Sequence, residues 1–385
     1  MILLDFFLLS AIIYWSYLNI DDEEIVIMNK KSRKGGSWKR VLLQVLCVLL
    51  AVVLVVLLSA TIWLESFLGQ INREDGPAET LSQEELNVIL NETDPIDPEF
   101  TGEEISDDEV TVPSQPAELI ENKEEVLNII LVGQDRREGQ GRQRSDAMIL
   151  CTVNKNTKTL VMTSFLRDMY VKIPGFYNQR INVAYAVGGY KALSDTLKYN
   201  FGIQTDHFVE IDFSGFEKAV DLVGGVDIEL TKDEALYLNN RGNWDTDEKY
   251  DGSWKLKEGV NHLTGEQALA YSRIRNVGTG EESGDFGRTS RQRVVLGKLI
   301  DKAKSLSLTE LYKLVNGLIP LITTDMTNQE IMNYVMDYVP ILPDLQIVTQ
   351  RIPADGTYSH KKINGMAVIL PNLEKNRQLL EDSIG

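Results

Sequence analysis

The sequence predicts an α/β fold, a layered α/β/α domain with a central mixed sheet, preceded by a single transmembrane helix. Three observations carry this expectation. From Val126 onward, short β-branched apolar runs alternate with helical patterns, the signature of a layered α/β domain. The second and third runs are joined only by the turn Asn154 to Lys158, a hairpin, so the sheet is mixed. Val41 to Leu64 carries no charge and is long enough to span a bilayer.

At the N-terminus, Met1 to Ile20 is apolar with one acid, Asp5, and could form a second span. The preferred reading starts the native chain at or near Met28, with residues 1–27 arising from a misplaced start codon. Met28 leads into a basic stretch holding Lys30, Lys31, Arg33, Lys34, Lys39 and Arg40. By the positive-inside rule, residues 1–40 lie in the cytoplasm, 41–64 cross the membrane, and the rest is extracytoplasmic. A cleaved signal peptide is the alternative, but the apolar run is long for one and no small-x-small site follows it. Residues 65–125 read as an acidic linker. Between Arg73 and Glu125 the chain is rich in Asp and Glu and carries Pro77, Pro95, Pro98, Pro113 and Pro116. That composition predicts an extended, unpacked tether.

Residues 126–385 form the expected catalytic domain. VLNIILVG, AMILCTVN and TLVMTSFL have strand length. Asn182 to Tyr199 is helical, with Gly202 near its end. HFVEIDF is an alternating strand, Phe216 to Leu222 a helix stopped by Gly224 and Gly225, and VDIEL a strand. From Ser305 onward there are further helices and the strand QIVTQRI.

Composition removes several function classes. The chain has 385 residues and a net charge of -18, which argues against nucleic acid as a partner. Cys47 and Cys151 sit in an apolar run and a core strand, so neither a disulfide nor a zinc cluster is expected. His207, His262 and His360 are scattered, and no nucleophile-elbow pattern supports a Ser-His-Asp site.

Against the acidic background, arginine concentrates in four short segments. The first, GQDRREGQGRQRSD, begins where a strand ends. Arg144 and Asp146 lie two apart, so in extended chain they face one site. Asp135 and Asp146 could converge on Mg²⁺, which takes one or two carboxylates plus phosphate oxygens. The second, SFLRD, ends the third strand, and Asp168 could orient Arg167. In the third, Thr264 and Gln267 form a capping box, and YSRIR reads as strand with Tyr271, Arg273 and Arg275 on one face. The fourth, GDFGRTSRQR, opens a helix with Arg288, Arg291 and Gln292 on one face near its N-terminus. Asp285 could pair with an arginine or accept a proton. Each segment alone could be a charged surface. Four together point to an anion, because guanidinium forks bind phosphate bidentately.

The ordered set NIILVGQD, RSDAMIL, LRD, RINVAYAVGGY, DHFVEIDFSGFEKAVDLVGGVDIEL, LTGEQALAYSRIR and GDFGRTSRQR resembles the LytR-CpsA-Psr family from about Leu127 to Leu299. Phe165-Leu166 stands where the family more often has Ile-Pro, and GTGEESG is inserted between Arg275 and Asp285. The resemblance implies a polyprenyl-pyrophosphate ligand held by Arg137 (or its neighbour Arg136), Arg144, Arg167, Arg273, Arg275, Arg288 and Gln292. It implies Mg²⁺ on Asp135 and Asp146, and Asp285 as an acid near the reaction centre. The implied activity is transfer of a phosphate-linked glycopolymer from an undecaprenyl-pyrophosphate carrier to a peptidoglycan acceptor. A polyprenyl-pyrophosphate hydrolase and a non-catalytic envelope module are the alternatives.

Overall fold

The computed structural model describes residues 53, 59, 61, 63–74, 82–91, 102–121, 125–134, 142–240, 254–275, 277–278 and 284–384. The chain divides into two units, Met1–Ser66 and Phe67–Gly385. The described residues of the first are helical. Among the described residues, no helix is long and apolar enough to cross a membrane. The span expected at 41–64 lies mostly outside them, as do Met28, residues 1–27 and Cys47.

In the second unit, the strands are β1 (Asn72–Arg73), β2 (Glu103–Ile105), β3 (Val126–Gln134), β4 (Ser145–Asn154), β5 (Thr159–Phe165), β6 (Tyr170–Lys172), β7 (Asn178–Arg180), β8 (His207–Asp212), β9 (Val226–Leu230), β10 (Gly259–Leu263), β11 (Ile322–Thr324), β12 (Gln346–Ile352), β13 (Tyr358–Ile363) and β14 (Met366–Pro371). The helices are α1 (Gln83–Asn91), α2 (Asn182–Phe201), α3 (Phe213–Leu222), α4 (Lys232–Asn240), α5 (Gly265–Ser272), α6 (Gly284–Ser305), α7 (Leu308–Leu318), α8 (Asn328–Tyr338) and α9 (Leu373–Ile384).

Seven strands form the central sheet in the order β1-β11-β8-β3-β4-β5-β12. β4 is antiparallel to β3 and β5, β8 is parallel to β3 and antiparallel to β11, and β12 is parallel to β5, so the sheet is mixed as expected. Strand alternation then builds two apolar layers. Met148 and Leu150 face the core shared with α2 and α9, while Ile149 faces Leu296 and Ile300 of α6. A further cluster packs α3, α4, α5 and α7 around the β9–β10 ribbon. This topology gathers the C-terminal ends of β3, β5, β8 and β12 and the N-terminal end of β4 along one edge of the sheet.

Two sequence readings are corrected. Residues 271–275 are not a strand: Tyr271 and Ser272 finish α5, Arg273 caps it, and Arg275 follows in irregular chain. The capping box of Thr264 and Gln267 is present and commits the segment to helix. Nor is the stretch before Glu125 an unpacked tether. α1 buries Ile89, β2 pairs in parallel with β13, and Ile120 joins the main core. Averaged composition hides these few apolar anchors. Gly202, at φ 74, ends α2 where a Cβ would collide with the Glu118 carbonyl; Ile120 donates to the Gly202 carbonyl at 2.9 Å. The packing at this helix end therefore specifies glycine for closeness as well as for handedness.

Arg291 is the cross-brace of the smaller layer. Its Nε meets Glu234 of α4 at 2.7 Å, and its two terminal nitrogens donate to the carbonyls of Ile274 and Val277. Both side chains are more than nine-tenths buried, at 7% and 8% exposure. Removing one partner strands the other charge, so Arg291→Met should lower unfolding free energy by about 3–5 kcal/mol. Urea denaturation checks this, and a loss below about 1 kcal/mol would show that the pair is not a structural brace.

Candidate anion-binding site

The site begins with a bulge. β3 and β4 pair regularly until Gly133 meets Ala147, and then Gln134 meets Ser145, leaving Asp146 as the extra residue. A bulge re-aims side chains, so the two-residue alternation that would put Arg144 and Asp146 on one face fails here. Arg144 is buried and donates to the Ile89 carbonyl of α1, tying that helix to the sheet edge. Asp146 turns to two other arginines. Arg167 Nη1, from the end of β5, donates to Asp146 Oδ1 at 2.6 Å. Arg288 of α6 donates through Nη1 to the same oxygen at 3.5 Å and through Nη2 to the Asp146 carbonyl at 3.1 Å.

Two more carboxylates complete the frame. Asp285 pairs with Arg288 one turn along α6 and lies 3.4 Å from Arg167 Nε. Asp168 lies 3.7 Å from Arg167 Nε and accepts from Arg180 Nη1 at 3.2 Å. Asp168 therefore shares its charge between Arg167 and Arg180, while Asp146 is the closer orienting group for Arg167. The Arg288 and Arg167 side chains are 3% and 8% exposed.

Burial would raise the Asp146 carboxyl, but Arg288, Arg167 and Arg275 outweigh it and hold the group down at about 2. Burial, joined by the neighbouring Arg167, pulls Arg288 down to about 10, which leaves it charged at neutral pH. Arg275 thus acts on both Asp146 and Arg288. Gln292, on the same helical face as Arg288, buries its Oε1 without a hydrogen-bond partner.

Other expected residues fall elsewhere. Arg273 sits 4.4 Å over the ring of Phe213, at the start of α3. Arg291 serves Glu234 rather than the anion site. Helical spacing correctly puts Arg288 and Arg291 near each other but cannot reveal that their partners lie on different elements. Asp135, Arg136 and Arg137 lie outside the described residues. The sequence reading missed Arg180, although a basic residue just ahead of a long helix in RINVAYAVGGY was a visible signal. His207, at the opposite end of β8, is tied to Asp325 and Tyr334, and His262 to Asp227. Burial pushes the Cys151 thiol up to about 12, an inert core group.

No group of three or more metal-binding side chains occurs among the described residues. Asp146 nevertheless suits a hard cation, because Arg167 and Arg288 engage its Oδ1 and backbone carbonyl, and the side chain is 22% exposed. One oxygen can meet a cation shared with phosphate.

The fold and this cluster define an α/β/α domain whose sheet edge gathers carboxylate-braced guanidiniums. The family model described as the LytR_cpsA_psr family matches residues 98–382, and the chain belongs to that family. It is 31% identical, over 64% of its length and 74% of the relative's, to the polyisoprenyl-teichoic acid–peptidoglycan teichoic acid transferase TagU of Bacillus anthracis. Its fold matches TagT bound to LI-WTA with a TM-score of 0.55 at 26% identity, covering 71% of this chain and 97% of that one. It also matches the family protein YwtF (TagT) with bound octaprenyl pyrophosphate lipid, with a TM-score of 0.51 at 26% identity, covering 72% and 99%.

The depressed Asp146 group makes stability depend on acid. Its folded value of about 2 lies below its ordinary 3.8, so its contribution is complete above that value and is lost as pH falls through about 2. The contribution is about 2 kcal/mol. Urea midpoints measured from pH 5 to pH 2 should converge for the native chain and Asp146→Asn. Parallel curves would mean that the carboxylate is not held by these arginines.

Proposed function

We propose that the chain is a membrane-anchored, extracytoplasmic phosphotransferase. It moves a phosphate-linked glycopolymer from an undecaprenyl-pyrophosphate carrier to peptidoglycan. The observation that carries this reading is the convergence of Arg167, Arg288 and Arg275 on Asp146 at the sheet edge. The transferase names of relatives and the pyrophosphate lipid in a structural neighbour support it.

Phosphoryl transfer requires charge neutralisation and in-line positioning more than a protein nucleophile. A sugar hydroxyl of the acceptor attacks the phosphorus joined to the glycopolymer. A P–O bond forms to the acceptor, the bridging P–O bond breaks, and polyprenyl phosphate leaves with the bridging oxygen. Arg167, Arg275 and Arg288 hold the pyrophosphate oxygens, with Gln292 beside Arg288; Arg144, expected there from the sequence, is instead tied to the Ile89 carbonyl. The acceptor proton passes to a carboxylate. A group held near 2 is a weak base, so Asp146 is poorly suited to that step. Asp146, with Asp135, would hold Mg²⁺, whose bound form supplies added charge neutralisation at the phosphates.

A polyprenyl pyrophosphate should raise the melting temperature of the protein, because a ligand that binds the folded state stabilises it. Arg275→Ala should remove most of that rise and cost about 1.5–3 kcal/mol in transfer. Arg275→Lys should restore only part, since a point charge lacks the bidentate fork. Asp146→Ala should lose the Mg²⁺-dependent portion of transfer. Wild-type behaviour in Arg275→Ala would refute the pyrophosphate site, and polymer release without an acceptor would favour hydrolysis.

The basic residues before Val41 support a cytoplasmic N-terminus. A reporter that works only outside the cytoplasm, fused after Gly385, should be active. A stable but silent fusion would reject this topology.

A further inference from the structure

Beside the anion site lies a second basic patch that the phosphate chemistry does not use. Phe286 follows Asp285 on α6, and Arg293 lies seven residues on, along nearly the same stripe of the helix. Facing them, Arg351 of β12 pairs in register with Ser164, three residues before Arg167. Its guanidinium carbon is 4.6 Å from the Phe286 ring centre and 6.0 Å from that of Tyr358. Phe286 and Tyr358 rings lie 5.2 Å apart, and His360 stands edge-on to Tyr358 at 5.4 Å. His360 is exposed, and Tyr358 and Phe286 are half-buried, so the ring cluster reaches solvent.

The charges here are unequal. Arg351 is compensated: it pairs with Asp355 and donates to the Pro353 carbonyl at 2.6 Å. Arg293 is different. Its Nη1 is buried without a hydrogen-bond partner, and burial together with Arg351 pulls it down to about 10. A largely buried guanidinium whose strongest charged neighbour is another guanidinium is costly unless an anion joins it. Packing alone would explain the rings but not this cation.

We propose that Arg293 and Arg351, with Phe286, Tyr358 and His360, form a second subsite that takes an anionic saccharide unit. The proposal rests on the transferase reading for its substrate class. Sugar rings offer apolar C–H faces to aromatic rings, and a guanidinium fork takes a phosphate or carboxylate. The position next to Asp285 places such a sugar beside the reacting phosphate. A phosphodiester would come from the donor polymer and a sugar carboxylate from the acceptor.

The test is calorimetric titration of the detergent-solubilised full chain with three lipid-free probes. These are a disaccharide bearing a phosphodiester, one bearing a carboxylate, and the uncharged methyl ester of the second. One anionic probe should bind at least about tenfold more tightly than the ester, and Arg293→Gln should erase that preference. Phosphodiester preference assigns the subsite to the donor, and carboxylate preference to the acceptor. Arg293→Gln should keep the melting response to polyprenyl pyrophosphate, which also shows that the variant is folded. Arg351→Gln, as a second variant, should lower the same preference. Equal binding of charged and uncharged probes by the native chain, or an undiminished preference in both variants, overturns the subsite. Loss of the lipid response in the native chain would instead sink the transferase reading while the sugar preference stood.

Discussion

The carboxylate of Asp146 is the constraint on which the sheet edge depends. It sits between Arg167 and Arg288, two guanidiniums too buried to be screened by water. Without it, β5, the start of α6 and the chain around Arg275 would bring like charges together at low dielectric. With it, three segments far apart in sequence can be packed against one another. The bulge at Gly133 and Gln134 is what delivers the carboxylate, because regular pairing would have aimed Asp146 with Arg144. Local backbone irregularity and global charge balance are therefore one feature seen at two scales.

The same logic reconciles a net charge of -18 with a cluster of buried guanidiniums. Ion pairs such as Lys158–Asp344 and Lys191–Asp195 are exposed, where water and salt screen them, whereas Arg167 and Arg288 are buried. At short range, a few oriented donors in a low-dielectric pocket outweigh a distant and screened excess of acid.

Much of this was legible in the sequence because it is local. Strand alternation in β3 to β5, the capping box at Thr264 and Gln267, and the hairpin turn at Asn154 to Lys158 are decided within a few residues. The mixed sheet followed from them. What was not legible depends on partners distant in the chain. YSRIR alternates like a strand, but the helix begun at Thr264 runs on through Ser272 and takes its first residues. Arg291 has the spacing of a site residue, yet its partner Glu234 lies 57 positions away. The bulge left no trace in composition, and it moved Asp146 away from the residue expected beside it. In the segment before Glu125, acid and proline outnumber the few apolar residues that the core in fact claims.

The hydrogen bond from Arg144 to the Ile89 carbonyl gives the domain an energetic border that differs from its evolutionary one. The family match starts at residue 98, after α1 has ended. A fragment trimmed at that point would keep every shared motif and yet delete the acceptor of a buried guanidinium. Where homology stops, solvation has not: the folded unit must reach back through Gln83 to keep that buried contact.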